Sequence, residues 1–263
     1  MTGAVHSEGF GSRRRPAAVQ LLGSLFFTVF LFVWTFLYAI PFVIVCLCLP
    51  FRRRFPLARA WAASVLWVLK WSCGLDHRVE GAPLPEGCHV ALWKHSSSWE
   101  TVAMMVLFPR QVWVLKRELT WIPVVGYGVR LMHAIAIDRK SGHTAVAQVI
   151  EQGKERLAEG DWVMVFPEGT RMRAGETRRY GVSGTLLAAE TNRLIVPVAH
   201  NAGTFWPRRG LMKKPGTVRV VIGAPVAAAG REVRKVNEEI QAWIEATVRE
   251  LGGTGQRETR GPA

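Results

Sequence analysis

Residues 17–51 carry no charged side chain, and that run constrains the chain more than any other feature. As one straight helix it would reach about 50 Å, against about 30 Å for the hydrocarbon core of a bilayer. It is far longer than the apolar region of a signal peptide, and no small-residue cleavage site follows it. Pro41 offers a break, because proline lacks the helical N–H and its ring clashes with the preceding turn. The sequence therefore predicts a helix over 19–40 that enters or crosses the membrane, continued at an angle over 42–49. Arg52, Arg53 and Arg54 mark a return to the headgroups. Residues 57–75 then set Trp61, Trp67 and Trp71 among aliphatics, with Arg59 and Lys70 the only charges. This reads as an interfacial or re-entrant helix that completes a hairpin; a buried core helix is the competing reading. Arginine placement favours the cytoplasmic side for the C-terminal part.

The organisation follows from that start. Residues 1–16 are polar and end in arginines, and are expected to be a disordered tail. Residues 17–75 form the membrane-associated segment, 76–251 a catalytic α/β domain, and 252–263 a second disordered tail. After residue 76, short apolar strands alternate with helical patterns. Strands are expected at 89–93, 112–116, 134–137, 162–166, 194–199 and 218–222. Helices are expected at 98–108, 124–132, 144–159, 184–191 and 232–251. This alternation implies a mixed or parallel sheet flanked by helices. The net charge of +14 suits an anionic partner such as acidic lipid or a phosphorylated substrate. Nucleic acid is not expected, because the arginines scatter through several blocks without an aromatic-basic recognition module. The four cysteines show neither zinc spacing nor a disulfide framework, so no metal is expected.

Two constellations could carry chemistry. Lys94-His95-Ser96-Ser97-Ser98-Trp99-Glu100 lies where a strand gives way to a helix, the end of an α/β sheet at which ligands bind. His95 there can act as a general base, and Glu100 can orient its ring. A structural role competes: Ser97-x-x-Glu100 is also a capping box, and the two roles of Glu100 are compatible. The second constellation is Phe166-Pro167-Glu168-Gly169-Thr170-Arg171, again after an apolar strand. Arg171 can grip a phosphate bidentately, and Gly169 lets a backbone approach a ligand. The competing reading is a Pro-Gly turn with solvated arginines.

The two motifs, about seventy residues apart, resemble those of the glycerolipid acyltransferase family. Lys116-Arg117-Glu118-Leu119 with Pro123 and Gly126, Ile135 to Arg139, and Ile195-Val196-Pro197-Val198 resemble further blocks of that family, in its order. The resemblance covers about residues 90–200. Two departures stand out. Glu100 replaces the usual aspartate, which keeps the charge and adds a methylene. The stretch Tyr180-Gly181-Val182-Ser183-Gly184 lacks a lysine that relatives often carry.

The resemblance implies transfer of a fatty acyl group to the sn-2 hydroxyl of 1-acylglycerol-3-phosphate (lysophosphatidic acid), giving phosphatidic acid at a membrane. It implies acyl-CoA or acyl-carrier protein as donor, with no cofactor, no metal and no acyl-enzyme. The implied base pair is His95 and Glu100. The implied phosphate-binding set is Arg171, Glu168, Gly169, Thr170, Arg139 and Lys116. A different lysolipid acceptor, such as a lyso-ornithine lipid, and a catalytically silent lipid-binding relative remain open alternatives. Trp99, Met104, Met105 and Leu107 are either walls of an acyl groove or core packing.

Overall fold

The computed structural model describes residues 16–138 and 141–257, so most of the expected N-terminal tail, half of the expected C-terminal tail and Arg139 lie outside the described residues. The uncharged run forms one helix, α1 (Ala17–Cys48), which continues through Pro41 instead of breaking there. The missing N–H costs one helical bond, but with apolar residues on both sides a helix remains the way to pair the other backbone groups. The break falls at Leu49, whose extended backbone is what a following proline, here Pro50, imposes. A second helix, α2 (Phe51–Cys73), runs back and stops at Gly74 in the left-handed region, whose N–H donates to the Lys70 carbonyl.

α2 buries one face and exposes the other. Phe55, Ala58, Ala62, Val65, Leu69 and Cys73, spaced three and four apart, are buried on one face. On the outer face Trp67 and Trp71 stay 62% and 67% exposed. Trp34 Nε1 donates to Ser64 Oγ at 2.8 Å and Tyr38 to the Leu57 carbonyl at 2.9 Å, binding α1 to α2. α1 is long and apolar enough to cross a membrane, and most of its apolar surface is exposed on the protein.

The sheet has eight strands: β1 (Leu75–Gly81), β2 (Val90–Trp93), β3 (Gln111–Lys116), β4 (Ile135–Ile137), β5 (Trp162–Val165), β6 (Leu194–His200), β7 (Gly216–Ile222) and β8 (Val226–Ala227). The order is β1-β7-β6-β2-β5-β3-β4, with β8 also on β6. The run from β6 to β4 is parallel; β7 is antiparallel to β6, and β1 is parallel to β7. β2 and β5 are buried along their whole length, as parallel strands covered on both faces must be. Pro197 sits inside β6 without disrupting it. Its edge partner shifts register by one residue there, from β7 to β8, and Gly223 N–H donates to the Pro197 carbonyl.

Helices α3 (Trp99–Leu107) and α4 (Val125–Leu131) lie on the face that α1 and α2 cover. α5 (His143–Ala158), α6 (Ser183–Glu190) and α8 (Val233–Arg257) cover the other, and a short α7 (Ala202–Phe205) follows β6. α8 runs six residues into the segment expected to be a tail. The connection from β2 runs through α3 to β3, on one side. The connection from β5 runs through α6 to β6, on the other. Between adjacent β2 and β5 the winding direction therefore reverses, and a crevice opens at their carboxyl ends.

Candidate active site

Both sequence constellations leave the sheet at that crevice. Leu92 pairs with Val165, so the chain after β2 and the chain after β5 start side by side. Glu168 joins them. Its Oε2 accepts from the His95 N–H at 2.8 Å, and its Oε1 from Lys94 Nζ at 2.7 Å. Lys94 Nζ also donates to Glu245 Oε1 of α8 at 2.8 Å and to the Glu176 carbonyl at 2.9 Å. Tyr180 donates to the same Glu245 oxygen at 2.7 Å. The Lys94 and Glu168 side chains are sealed from solvent. Burial pushes the Glu168 carboxyl up to about 7 despite Lys94 and the His95 amide, which both favour the charged form.

This corrects one expectation. Glu168 faces inward and holds the backbone of the base, so it does not belong to a phosphate-binding set. The sequence signal that could have found its role was Lys94, a lysine ending an otherwise apolar strand and in need of a buried partner.

Glu100 enters from the first turn of α3. Its Oε1 accepts from Ser96 N–H at 2.9 Å, Ser97 N–H at 2.8 Å and His95 Nδ1 at 2.9 Å. One oxygen thus caps the helix and orients the imidazole. The capping-box pattern is met in half: Glu100 reaches back to the Ser97 amide, while Ser97 Oγ accepts from the Trp99 N–H at 3.0 Å. Glu100 is fully buried. Burial alone would raise its pKa, but His200, the His95 hydrogen bond and the Ser97 amide outweigh it and hold the carboxyl below the ordinary value. A charged carboxylate only accepts, so His95 Nδ1 must donate, and Nε2 is left with its lone pair. The His95 ring stacks on Phe166, 4.1 Å between centroids, which limits its rotation.

The other expected residues divide. Arg171 NH1 donates to Ser98 Oγ at 2.5 Å, and the Met172 N–H donates to the His95 carbonyl at 2.8 Å. Arg171 and His95, far apart in sequence, therefore share the crevice. Gly169 adopts φ +67, which explains the glycine as a turn requirement, and a Cβ there would meet open space. Thr170 is half-buried beside it. Lys116 ends β3, two strands from β2, and pairs with Glu118 at 2.8 Å. Of the suggested acyl-groove residues, Trp99 and Met104 are core, and Met105 and Leu107 pack partly buried against it.

His200 was not anticipated. It ends β6 with its Nε2 donating to the Lys94 carbonyl at 2.8 Å and lying 4.0 Å from Glu100 Oε2. Burial lowers its pKa against the pull of the Glu100 carboxylate. Its sequence position, a histidine at the end of an apolar run, repeats that of His95 and was the available signal.

The comparisons agree with this geometry. A family model described as Acyltransferase matches residues 77–201, the span from β1 to just past β6. A 1-acyl-sn-glycerol-3-phosphate acyltransferase of Pseudomonas aeruginosa is 35% identical over 246 residues, covering 92% of this chain and 96% of that protein. The human 1-acyl-sn-glycerol-3-phosphate acyltransferase alpha is 30% identical over 166 residues, 62% of this chain and 59% of the relative. A crystal structure of the 1-acyl-sn-glycerophosphate acyltransferase from Thermotoga maritima shares the fold, with a TM-score of 0.73, 20% identity, and coverage of 93% of this chain and 98% of that one.

Proposed function

The chain belongs to the acyltransferase family, and from that premise we propose that it acylates the sn-2 hydroxyl of 1-acyl-sn-glycerol-3-phosphate to give phosphatidic acid. The observation that carries the reading is His95, its Nδ1 fixed by Glu100, in one crevice with Arg171. The acceptor is an alcohol that loses its proton only as it attacks. His95 Nε2 takes that proton while the hydroxyl oxygen forms a bond to the thioester carbonyl carbon. The resulting imidazolium is stabilised by the charged Glu100. When the tetrahedral intermediate collapses, the C–S bond breaks and the proton passes to the departing sulfur. Acyl-CoA or acyl-carrier protein serves as the thioester. Base assistance of this kind contributes about 10² to 10⁴ in rate.

Arg171 binds the acceptor phosphate from the Gly169–Arg171 turn. Lys116 extends the positive field from the end of β3, and the charge of Arg139 adds to it. The amides of His95, Ser96, Ser97 and Trp99 donate to protein oxygens and are therefore taken. In this reading the turn after Gly169 supplies the oxyanion donors. Acceptor and product both stay in the bilayer, and α1 brings the crevice to them. The catalytic domain lies on the cytoplasmic face, as the arginine triplet after α1 favours.

Purified protein in lipid vesicles, given lysophosphatidic acid and radiolabelled acyl-CoA, tests this. Labelled phosphatidic acid should form, and His95→Ala should lower the rate by about 10² to 10⁴ with the fold intact. Near-full turnover by that variant would remove His95 as the base.

A further inference from the structure

After β3 the chain makes a 3-10 turn, Arg117–Trp121, and then α4. This segment exposes large apolar side chains one after another: Leu119 is 45% exposed, Trp121 61%, Ile122 39% and Tyr127 62%. They are not loosely held. Val124 sits at φ 62, a costly backbone conformation for a β-branched residue. Gly126 packs so closely on the Thr120 backbone that a Cβ there would collide with it. The Val125 N–H donates to the Pro123 carbonyl and the Gly126 N–H to the Ile122 carbonyl, both at 2.7 Å. A rigid, strained turn therefore holds an apolar ridge outward.

Three observations say what covers the ridge. First, it is continuous with the membrane helix: α4 packs on α1, with Gly128 facing Phe42 and Val43, and Arg54 of α2 donates to the Leu131 carbonyl at 2.9 Å. Second, its aromatic rings carry cations at their edge. The Arg117 guanidinium lies 5.9 Å from the Trp121 ring and that of Arg130 5.6 Å from Tyr127. An aromatic ring beside an arginine is the side-chain pairing of a membrane interface, the ring at headgroup level and the cation toward phosphate. Third, the chain's charge of +14 complements an anionic leaflet.

We infer that residues 119–127 form a second membrane-inserting element that dips into the same leaflet as α1, with Arg117 and Arg130 on anionic headgroups. The ridge follows the carboxyl end of β3, the end of the sheet at which His95 sits. Two supports, α1 on one side and this ridge on the other, would hold the crevice mouth against the lipid surface instead of leaving it on a tether.

The test uses the full chain in vesicles of phosphatidylcholine and phosphatidylglycerol, and it reads position without depending on acyl transfer. A bimane label is placed at Trp121→Cys in a Cys48→Ser background. A second label at Glu151→Cys, exposed on α5 on the opposite face, is the control. Lipids with a nitroxide in the acyl chain should quench the label at 121 by about twofold or more, and aqueous iodide should not. The label at 151 should show the reverse. Tyr127→Cys replaces Trp121→Cys if the latter fails to fold. A label at 121 or 127 that iodide quenches as it does at 151 overturns the inference. So does shielding that depends on protein concentration with no nitroxide quenching, which would mean that a second copy covers the ridge.

Discussion

Replacing Glu168 by glutamine separates a scaffold from a substrate ligand. The native carboxylate accepts from two donors, the His95 amide and Lys94 Nζ. A glutamine can satisfy only one of them with its oxygen, and turns its own N–H₂ toward the other. Breaking a buried ion pair by removing one partner costs about 3 to 5 kcal/mol. The lower end applies, because Lys94 keeps Glu245 Oε1 and the Glu176 carbonyl. A loss of about 3 kcal/mol lowers Tm by roughly 6–12 °C for a domain of this size. Thermal unfolding of wild type and Glu168→Gln in the same detergent measures it. The pH dependence has a definite sign. The folded carboxyl is raised from 4.5 to about 7, so its titration contributes stability that is complete below 4.5 and lost as pH rises through about 7. Glutamine lacks that contribution, so the gap between the two proteins widens as pH falls from about 7 toward 5. In kinetics, kcat should fall through a displaced His95, with KM for lysophosphatidic acid little changed. An unaltered Tm with a raised KM would refute the scaffold role and return Glu168 to the phosphate site.

Three further changes read other parts of the site. Glu100→Gln keeps an oxygen for the Ser96 and Ser97 amides but loses the charge behind the imidazole; turnover should drop about 10²-fold, less than for His95→Ala. Arg171→Ala should raise KM for lysophosphatidic acid about 10- to 100-fold, the worth of a charged hydrogen bond, and spare an acceptor without phosphate. Equal losses on both acceptors would contradict the phosphate role. Gly169→Ala meets no steric obstacle, so its cost is the backbone strain at φ +67 alone, about 1 kcal/mol or slightly more, read as a small drop in Tm.

The parallel strands were legible because burial on both faces makes them short apolar runs, as Val90-Ala91-Leu92-Trp93 and Trp162-Val163-Met164-Val165 are. β1 was not. Leu75-Asp76-His77-Arg78-Val79-Glu80-Gly81 is an edge strand in which only Leu75 is buried, and neither alternation nor an apolar run marks it. The effect of Pro41 was misjudged because a proline's cost to a helix was weighed without the greater cost of leaving other backbone groups unpaired in an apolar medium. In the site, His95, Glu100 and Arg171 could be picked out because their chemistry is local to their motifs. Glu168 could not, since its partner Lys94 stands 74 positions before it and Glu245, which shares that lysine, 77 positions after it. Only the pairing of β2 with β5 and the docking of α8 bring the three together.

The geometry also explains how a glutamate serves at position 100. A helix start must satisfy its exposed amides, and a base must have one ring nitrogen fixed. Glu100 Oε1 meets both needs at once, with three donors within 2.9 Å. The additional methylene lets the carboxylate reach back along the Ser96–Ser98 turn from within α3 itself. The orientation of the base is therefore set by the same contacts that begin the helix. A change that frays the start of α3 must also release the imidazole, even where it touches neither His95 nor substrate. Ser97→Pro is such a change: it deletes one of the two amides that bind Glu100 Oε1 while leaving both members of the base pair in place. Activity should fall with it further than with Ser97→Ala, which keeps the amide and loses only the hydroxyl bond to the Trp99 N–H. The reverse order would mean that the imidazole is held by Glu100 alone and that the helix start contributes nothing to catalysis.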